Sequence, residues 1–297
     1  LGDVYKRQFM TKVEIHGGAK PIYAFLNIVD DENLVSPEQL ALNTEAFSLL
    51  NLPEGSNITL ALTPPPPSIS SIKRKIAGNI LSPAEYGGII ADIANRRYSN
   101  MDIASFLVAS GSFMTPPEVL ALTEALVGNQ VINWDNEGIV VDHHCLGGIP
   151  GNKTDIIITA IVAAYGLPIP KTASRSLSSC AGVADTMSVL ANVDLDETLL
   201  KKLIRENRGA LVCHSGLQIA MANRLISSVE RQIGITQQQH LVASILAIKI
   251  AMGITHLVID IPVGPNSRIK STQDAMRLRK LIAVSYTHLT LPTICSV

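Results

Sequence analysis

Hydrophobic and polar positions alternate over residues 12–15, 21–29 and 57–63. β-branched residues are frequent in all three, and each segment reads as a strand. Between the second and third, Ser36-Pro37-Glu38-Gln39 has the composition of a helix start: a capping Ser, Pro in the first turn, and an acid at the positive end. Pro64-Pro65-Pro66-Pro67 holds extended geometry and closes this small unit as a stiff linker. From about residue 68 to 130 the apolar spacing becomes helical. Ser82-Pro83-Ala84-Glu85 and Thr115-Pro116-Pro117-Glu118 each cap an apolar run, and three or four short helices in sequence predict a bundle. After Trp134 the two periods alternate. Strands are predicted over 138–142, 169–173, 210–213 and 256–261. Helices are predicted over 154–165, 181–190, 197–207, 221–230, 239–252 and 273–282, and such alternation argues for a mostly parallel sheet.

The two ends follow none of these patterns. Residues 1–8 (LGDVYKRQ) and 284–297 (VSYTHLTLPTICSV) resemble translated sequencing-adaptor DNA and are set aside as tails, so Cys295 and His288 are expected to carry no function. The expected fold class is α/β: a mostly parallel sheet domain plus an all-helical lobe and a small N-terminal α+β domain, with the C-terminal part missing. The expected boundaries are 9–67 for the N-terminal domain with its proline linker and 68–135 for the helical lobe, joined by helices from about 221–253. The α/β phosphate-binding domain takes 136–220 and 254–283.

Composition narrows the function. Hydrophobic residues make up 47% of the 297 and charged ones 16%, enough for a buried core. The formal net charge is −1 and no basic run stands out, so neither nucleic acid nor a membrane surface is an expected partner. The four cysteines, at 145, 180, 213 and 295, form no C-x-x-C pair, which points to free thiols, no metal and a cytoplasmic protein. Aliphatic stretches such as residues 155–167 fall short of the ~20 apolar residues that span a bilayer.

Two segments carry candidate chemistry. In the first, the strand ending at Asp142 runs through His143-His144-Cys145-Leu146 into Gly147-Gly148-Ile149-Pro150-Gly151-Asn152-Lys153-Thr154. Glycines allow close backbone approach to an anion, the first free N–H groups of a helix point at it, and Lys153 adds a positive charge. This is the pattern of a phosphate cradle, but not of a Walker A loop, because Asn152 precedes the Lys. In the second, the strand ending at Ala173 enters Ser174-Arg175-Ser176-Leu177-Ser178-Ser179. By its residues alone this is either an anion or ribose site at a strand end or a solvated Ser-rich loop. Arg175 could equally clamp phosphate or pair with a carboxylate.

Together, DHHCLGGIPGNKT and IVAAYGLPIPKTASRSLSSCAGVADTMSVL resemble the thymidine phosphorylase family, in the branch of archaeal AMP phosphorylases and bacterial type-2 thymidine phosphorylases. ASILAIKIAMG and HLVIDIPVGP extend the resemblance, which covers about residues 9–283. It implies a pentosyltransferase in which phosphate attacks C1′ of a pyrimidine nucleoside such as thymidine and the base departs. Phosphate is then a co-substrate, no cofactor is needed, the partners are small molecules, and a homodimer or higher oligomer is expected. The resemblance places His143, Cys145, Gly147, Gly148, Thr154, Ser174 and Arg175 around phosphate, beside the Lys153 of the cradle. It places Ser176, Ser178, Ser179, Ser244 and Arg268 around the nucleoside. His144 is the expected acid–base or base-contacting residue, with an imidazole that ordinarily titrates near about 6.5.

The chain also departs from the family. The family has Lys-His-Ser where His143-His144-Cys145 stands, Ser at Ala173, Thr at Val183, and a base-binding Lys at Ile248. The AMP-specific branch has an acidic proton donor near Thr236, and a Lys where Arg268 could hold a second phosphate. Phosphorolysis of a nucleoside 5′-monophosphate, or nucleoside and phosphate binding without turnover, therefore stand beside the first reading.

Overall fold

The computed structural model describes residues 11–297 apart from 28, 30, 32, 130, 135–136, 147–148, 176–180, 218, 235–236, 288–294 and 297. The chain divides into two compact units, one containing residues 11–67 with Asn95–Arg97 and the other the rest.

In the first unit β1 (Thr11–His16) is the centre of an antiparallel sheet, flanked by β2 (Ile22–Leu26) and β3 (Thr59–Leu62). Val13, Ile15 and Leu50 form its core. The helix expected at Ser36-Pro37 is instead α1 (Thr44–Leu50). Residues 36–39 make a turn closed by Gln39 N–H on the Ser36 carbonyl (2.9 Å), and Leu40 and Leu42 pack on the core. Nucleation falls to Asn43, whose side chain accepts from Ala46 N–H at 2.8 Å, satisfying a free donor of the first turn.

The second unit opens with four helices: α2 (Ile69–Ile76), α3 (Pro83–Ala94), α4 (Asn100–Ser112) and α5 (Pro116–Val127). Glu118 begins α5 by capping Thr115 and then serves as a buried hub. Its other oxygen accepts from Lys75 Nζ (2.5 Å), Leu81 N–H (3.0 Å) and Tyr86 O–H (3.2 Å). These bonds join α2, α3 and α5 around a core of Tyr86, Ile89, Phe106 and Leu122.

The α/β part follows: β4 (Val141–Cys145), α6 (Ile149–Ala164), β5 (Ile169–Ala173), α7 (Val183–Ser188), α8 (Glu197–Asn207) and β6 (Gly209–Cys213). Then come α9 (Met221–Ile233), α10 (Gln238–Ala251), β7 (His256–Asp260) and α11 (Thr272–Thr287). β4 pairs in parallel with β7, and β5 with β6. β4 and β5 lie side by side, linked by Val141 N–H to the Pro168 carbonyl (2.9 Å). α9 and α10 return to the helical lobe, where α10 packs on α5. α11 runs on to Thr287, and β8 (Cys295–Ser296) pairs with β7, so part of the segment set aside as a tail lies against the sheet.

One boundary matters for function. The strand expected over 138–142 is shifted three residues, so His143, His144 and Cys145 belong to β4 itself and not to the loop after it. The expected helix start also moves, from 154 to Ile149, which puts Gly151 to Thr154 inside α6. Among the described residues no helix is long and apolar enough to cross a membrane.

His240 of α10 is buried and its Nε2 lies 2.7 Å from Ser110 Oγ of α4. The Ser110 hydroxyl hydrogen goes to the Phe106 carbonyl (2.6 Å), so Nε2–H is the donor to Oγ. Burial, with Lys75 nearby, depresses the imidazole from 6.5 to about 4. The unfolded chain then binds one more proton between those values, and stability falls as pH drops through that window. Chemical denaturation at pH 7 and pH 5 is expected to show this loss in the native chain and a smaller one in His240→Gln; identical losses in both would assign it elsewhere.

Candidate functional site

Asp142 and Asp155 are buried carboxylates that organise the C-terminal ends of β4 and β5. Asp142 Oδ1 accepts from His143 N–H (2.7 Å). Oδ2 accepts from Lys249 Nζ (2.5 Å), Thr172 Oγ1 (3.1 Å) and, more weakly, Thr172 N–H (3.3 Å). One side chain of β4 thereby holds β5 and α10. Asp155, in α6, receives His143 Nδ1 at 2.7 Å and lies 3.3 Å from Lys171 Nζ. Lys171, only 1% exposed, also donates to the His143 and Thr172 carbonyls (2.7 and 3.1 Å). Two lysines and two aspartates thus neutralise one another beneath the strand ends.

Above them opens a cavity of about 510 Å³. His144, Cys145, Asn152, Ala173, Ser174 and Arg175 line its strand-end wall, and Asn223, Ser227, Ser244 and Ile248 its helical wall. His214, Asn266, Ser267 and Arg268 add to the polar lining, and Asp155, Lys171, Thr172 and Lys249 reach it from the floor. The described parts of the two sequence segments therefore face one cavity. They are also bonded directly: Asn152 Nδ2 donates to the Ala181 carbonyl at 2.8 Å. Gly151 permits this closeness. A Cβ there would meet Cys145 Sγ at 2.7 Å, nearer than side chains approach, so only glycine lets α6 start against β4.

The imidazoles in the wall are neutral. Desolvation, then the positive charges of Lys249 and Lys171, hold His144 well below its ordinary value. His144 is thus a poor proton store near neutrality, contrary to the sequence expectation of a group titrating near the working pH, yet its ring N–H remains a hydrogen-bond donor. Desolvation also lowers His214, which its 2.8 Å bond to the Ala173 carbonyl only partly offsets. Burial depresses Lys249 to about 8, against the pull of Asp142.

Other expected site residues lie elsewhere. His143 faces Asp155 and is absent from the cavity wall, because its ring completes the buried carboxylate's hydrogen bonds. Lys153 is exposed outside the cavity, and Thr154 does not line it, since both now sit within α6. Arg175 reaches the wall, but its guanidinium is held by Asp194 (2.8 Å) and Asp185 (3.3 Å), the carboxylate alternative. Gly147, Gly148, Ser176, Ser178, Ser179 and Thr236 lie outside the described residues. Sequence reasoning missed Asp155, Lys171, Thr172, Lys249, His214 and Asn223. The available signal was a charge inside an apolar run, as in IPKTA and ILAIKIA.

Residues 69–129 match the glycosyl transferase family, helical bundle domain, and residues 137–256 the glycosyl transferase family, a/b domain. A protein of Methylococcus capsulatus named "Putative thymidine phosphorylase" is 45% identical over 276 residues, 92% of this chain and 53% of that one. One of the same name from Rhodopseudomonas palustris is 45% identical over 273 residues, 91% of this chain and 53% of its own. The chain spans about half the length of these curated relatives. Anthranilate phosphoribosyltransferase from Thermus thermophilus superposes with a TM-score of 0.56 over 73% of this chain and 63% of that one, at 18% identity, a likeness of fold.

The buried quartet makes a prediction of its own. Lys249→Met strands the Asp142 charge and is expected to cost about 3–5 kcal/mol of stability in urea unfolding. Adding Asp142→Asn removes the stranded charge and should recover part of that loss. Losses that simply add would show that the two side chains are not coupled.

Proposed function

Because the chain belongs to this glycosyl transferase family, in its thymidine phosphorylase-like group, we propose that it cleaves the N-glycosidic bond of thymidine or a related pyrimidine nucleoside with inorganic phosphate, giving free base and pentose 1-phosphate. The observation that carries this reading is the convergence of Asn152, Ser174 and His144 on one cavity at the ends of parallel strands. Ligands of open α/β sheets gather at such ends.

A phosphate oxygen attacks C1′ as the C1′–N bond breaks, and the bonding electrons leave with the base. The start of α6 offers phosphate the positive end of a helix, and Ser174 adds a hydroxyl. The buried quartet sums to no net charge, so it positions groups without supplying an anion-binding charge. The leaving base carries negative charge on its departing ring nitrogen and its carbonyl oxygens. His144, neutral, meets that charge with a hydrogen bond whose strength rises as the charge develops, and it need not ionise to do so. The hydroxyl-poor positions Ala173, Val183 and Ile248 also line the cavity, so substrate is held there by fewer polar contacts than in the family pattern.

A second reading, phosphorolysis of nucleoside 5′-monophosphates, is favoured by one observation: Arg268 lines the cavity and could receive a 5′-phosphate. A panel of nucleosides and 5′-monophosphates, assayed for base release with and without phosphate, decides between the two. Phosphate-dependent release from thymidine or uridine is expected. Equal release without phosphate would mean hydrolysis, and no release from any member would leave the binding-only reading.

His144→Ala is expected to lower turnover about 10²–10³-fold, the usual effect of losing one donor aimed at developing charge. His144→Gln, which keeps an N–H donor, should retain more activity, and near-native turnover in the Ala variant would remove His144 from the mechanism.

A further inference from the structure

His214 follows β6 directly and lines the cavity. Its Nδ1 lies 2.8 Å from the Ala173 carbonyl. A carbonyl oxygen only accepts, so the hydrogen is on Nδ1. Burial keeps the ring neutral, and Nε2 then carries a lone pair and no hydrogen. Among the described residues Nε2 has no hydrogen-bond partner, and it is not sealed in the interior as the Asn223 oxygen is. The ring is half-buried in the cavity wall, so that lone pair opens on the cavity. Its neighbours are the groups assigned above to phosphate. Ser174 follows Ala173, and the Ser174 carbonyl accepts from Ala184 N–H (3.3 Å), which brings the start of α7 alongside. The bond from Asn152 Nδ2 to the Ala181 carbonyl (2.8 Å) ties the start of α6 to the same place.

We propose that His214 is a specificity-determining residue whose Nε2 accepts the P–OH hydrogen of inorganic phosphate, so that the site takes hydrogenphosphate and rejects sulfate. This rests on the reading of the cavity as a phosphate site. The two anions are nearly alike in size and shape. Near neutrality phosphate still carries hydrogen on oxygen, whereas sulfate carries none. Donors such as Ser174 and the start of α6 serve both anions equally. An acceptor separates them: it receives P–OH from phosphate but sets its lone pair against an oxygen lone pair of sulfate. A site built to bond a hydroxyl rejects an analogue that lacks it, because its own polar group is left unmet. The position also fits the displacement. β5 lies between β4 and β6, so His144, which meets the base, and His214 stand on either side of Ser174. With P–OH held at His214, the unprotonated oxygens are left to attack C1′, and the hydrogen stays on phosphate throughout.

The test is calorimetric titration of the native chain, His214→Gln and His214→Phe with inorganic phosphate and with sulfate. A thermal melt of each protein without ligand accompanies it. All three proteins are uncharged at this position near neutrality, so the variants change hydrogen bonding and not the field. The native chain is expected to bind phosphate about 10- to 100-fold more tightly than sulfate. Gln can turn an N–H toward the anion, so His214→Gln should gain affinity for sulfate and lose most of that preference. Phe removes the lone pair and supplies no donor, so His214→Phe should weaken phosphate and spare sulfate. A ring with a merely structural role would weaken both anions together, or lower the melting temperature with the preference intact, and either result overturns the proposal. So would sulfate bound by the native chain as tightly as phosphate, or no phosphate bound by it, results that do not depend on the variants folding. The phosphorolysis panel reads the parent hypothesis separately. Phosphate-dependent turnover with no preference over sulfate sinks only the role of His214. A preference that His214→Gln loses, without any turnover, sinks only phosphorolysis.

Discussion

Four charged side chains, Asp142, Asp155, Lys171 and Lys249, are buried together, and a charge removed from water must be paired there or not carried at all. Because they come from β4, α6, β5 and α10, satisfying them fixes the relative position of all four elements. The Asp142 side chain supplies hydrogen bonds to Thr172 where β4 and β5 share no continuous ladder, and His143 fills the remaining lone pair of Asp155. Replacing such a cluster by apolar residues is often neutral for stability, so its worth here is geometric: it sets which side chains face the cavity.

That geometry also sets the electrostatics. The two lysines lie under His144 and discourage a third positive charge, while the aspartates cancel the lysines toward bulk solvent. The result is a neutral imidazole beside a strand-end pocket, suited to hydrogen bonding with a leaving group. Gly151 lets the start of α6 press against Cys145, and Cys145 Sγ in turn donates to Asp260 Oδ2 at 3.0 Å, tying β4 to the end of β7.

Much of the architecture was legible from local chemistry. Helices start at Ser82 and Thr115 because a side-chain oxygen, Ser82 Oγ in the first and Glu118 Oε2 in the second, meets a backbone donor, a rule that acts over three residues. The parallel sheet followed from alternation alone. The site was less legible because its determinants are non-local. An apolar run predicts a strand ending at Asp142, yet β4 continues through His143, His144 and Cys145, and the side chains of Asp142 and His143 bond to Lys249, 107 residues on, and Asp155, 12 residues on. Lys249 interrupts an apolar helix face, a pattern that marks a buried ion pair only once the carboxylate is known. Ser36-Pro37 carried the composition of a helix start, and the packing of Leu40 and Leu42 overrode it.

The account turns on whether burial, reinforced by the lysines beneath it, keeps His144 neutral, and a proton-resolved titration of the imidazoles measures that charge state directly. The chain has seven histidines, and the resonance absent from His144→Gln identifies the one in question. With labelled histidine followed by NMR from pH 8 to pH 6, that resonance is predicted to hold the chemical shift of a neutral ring throughout. A sigmoidal change centred near the ordinary value of about 6.5 would contradict the account.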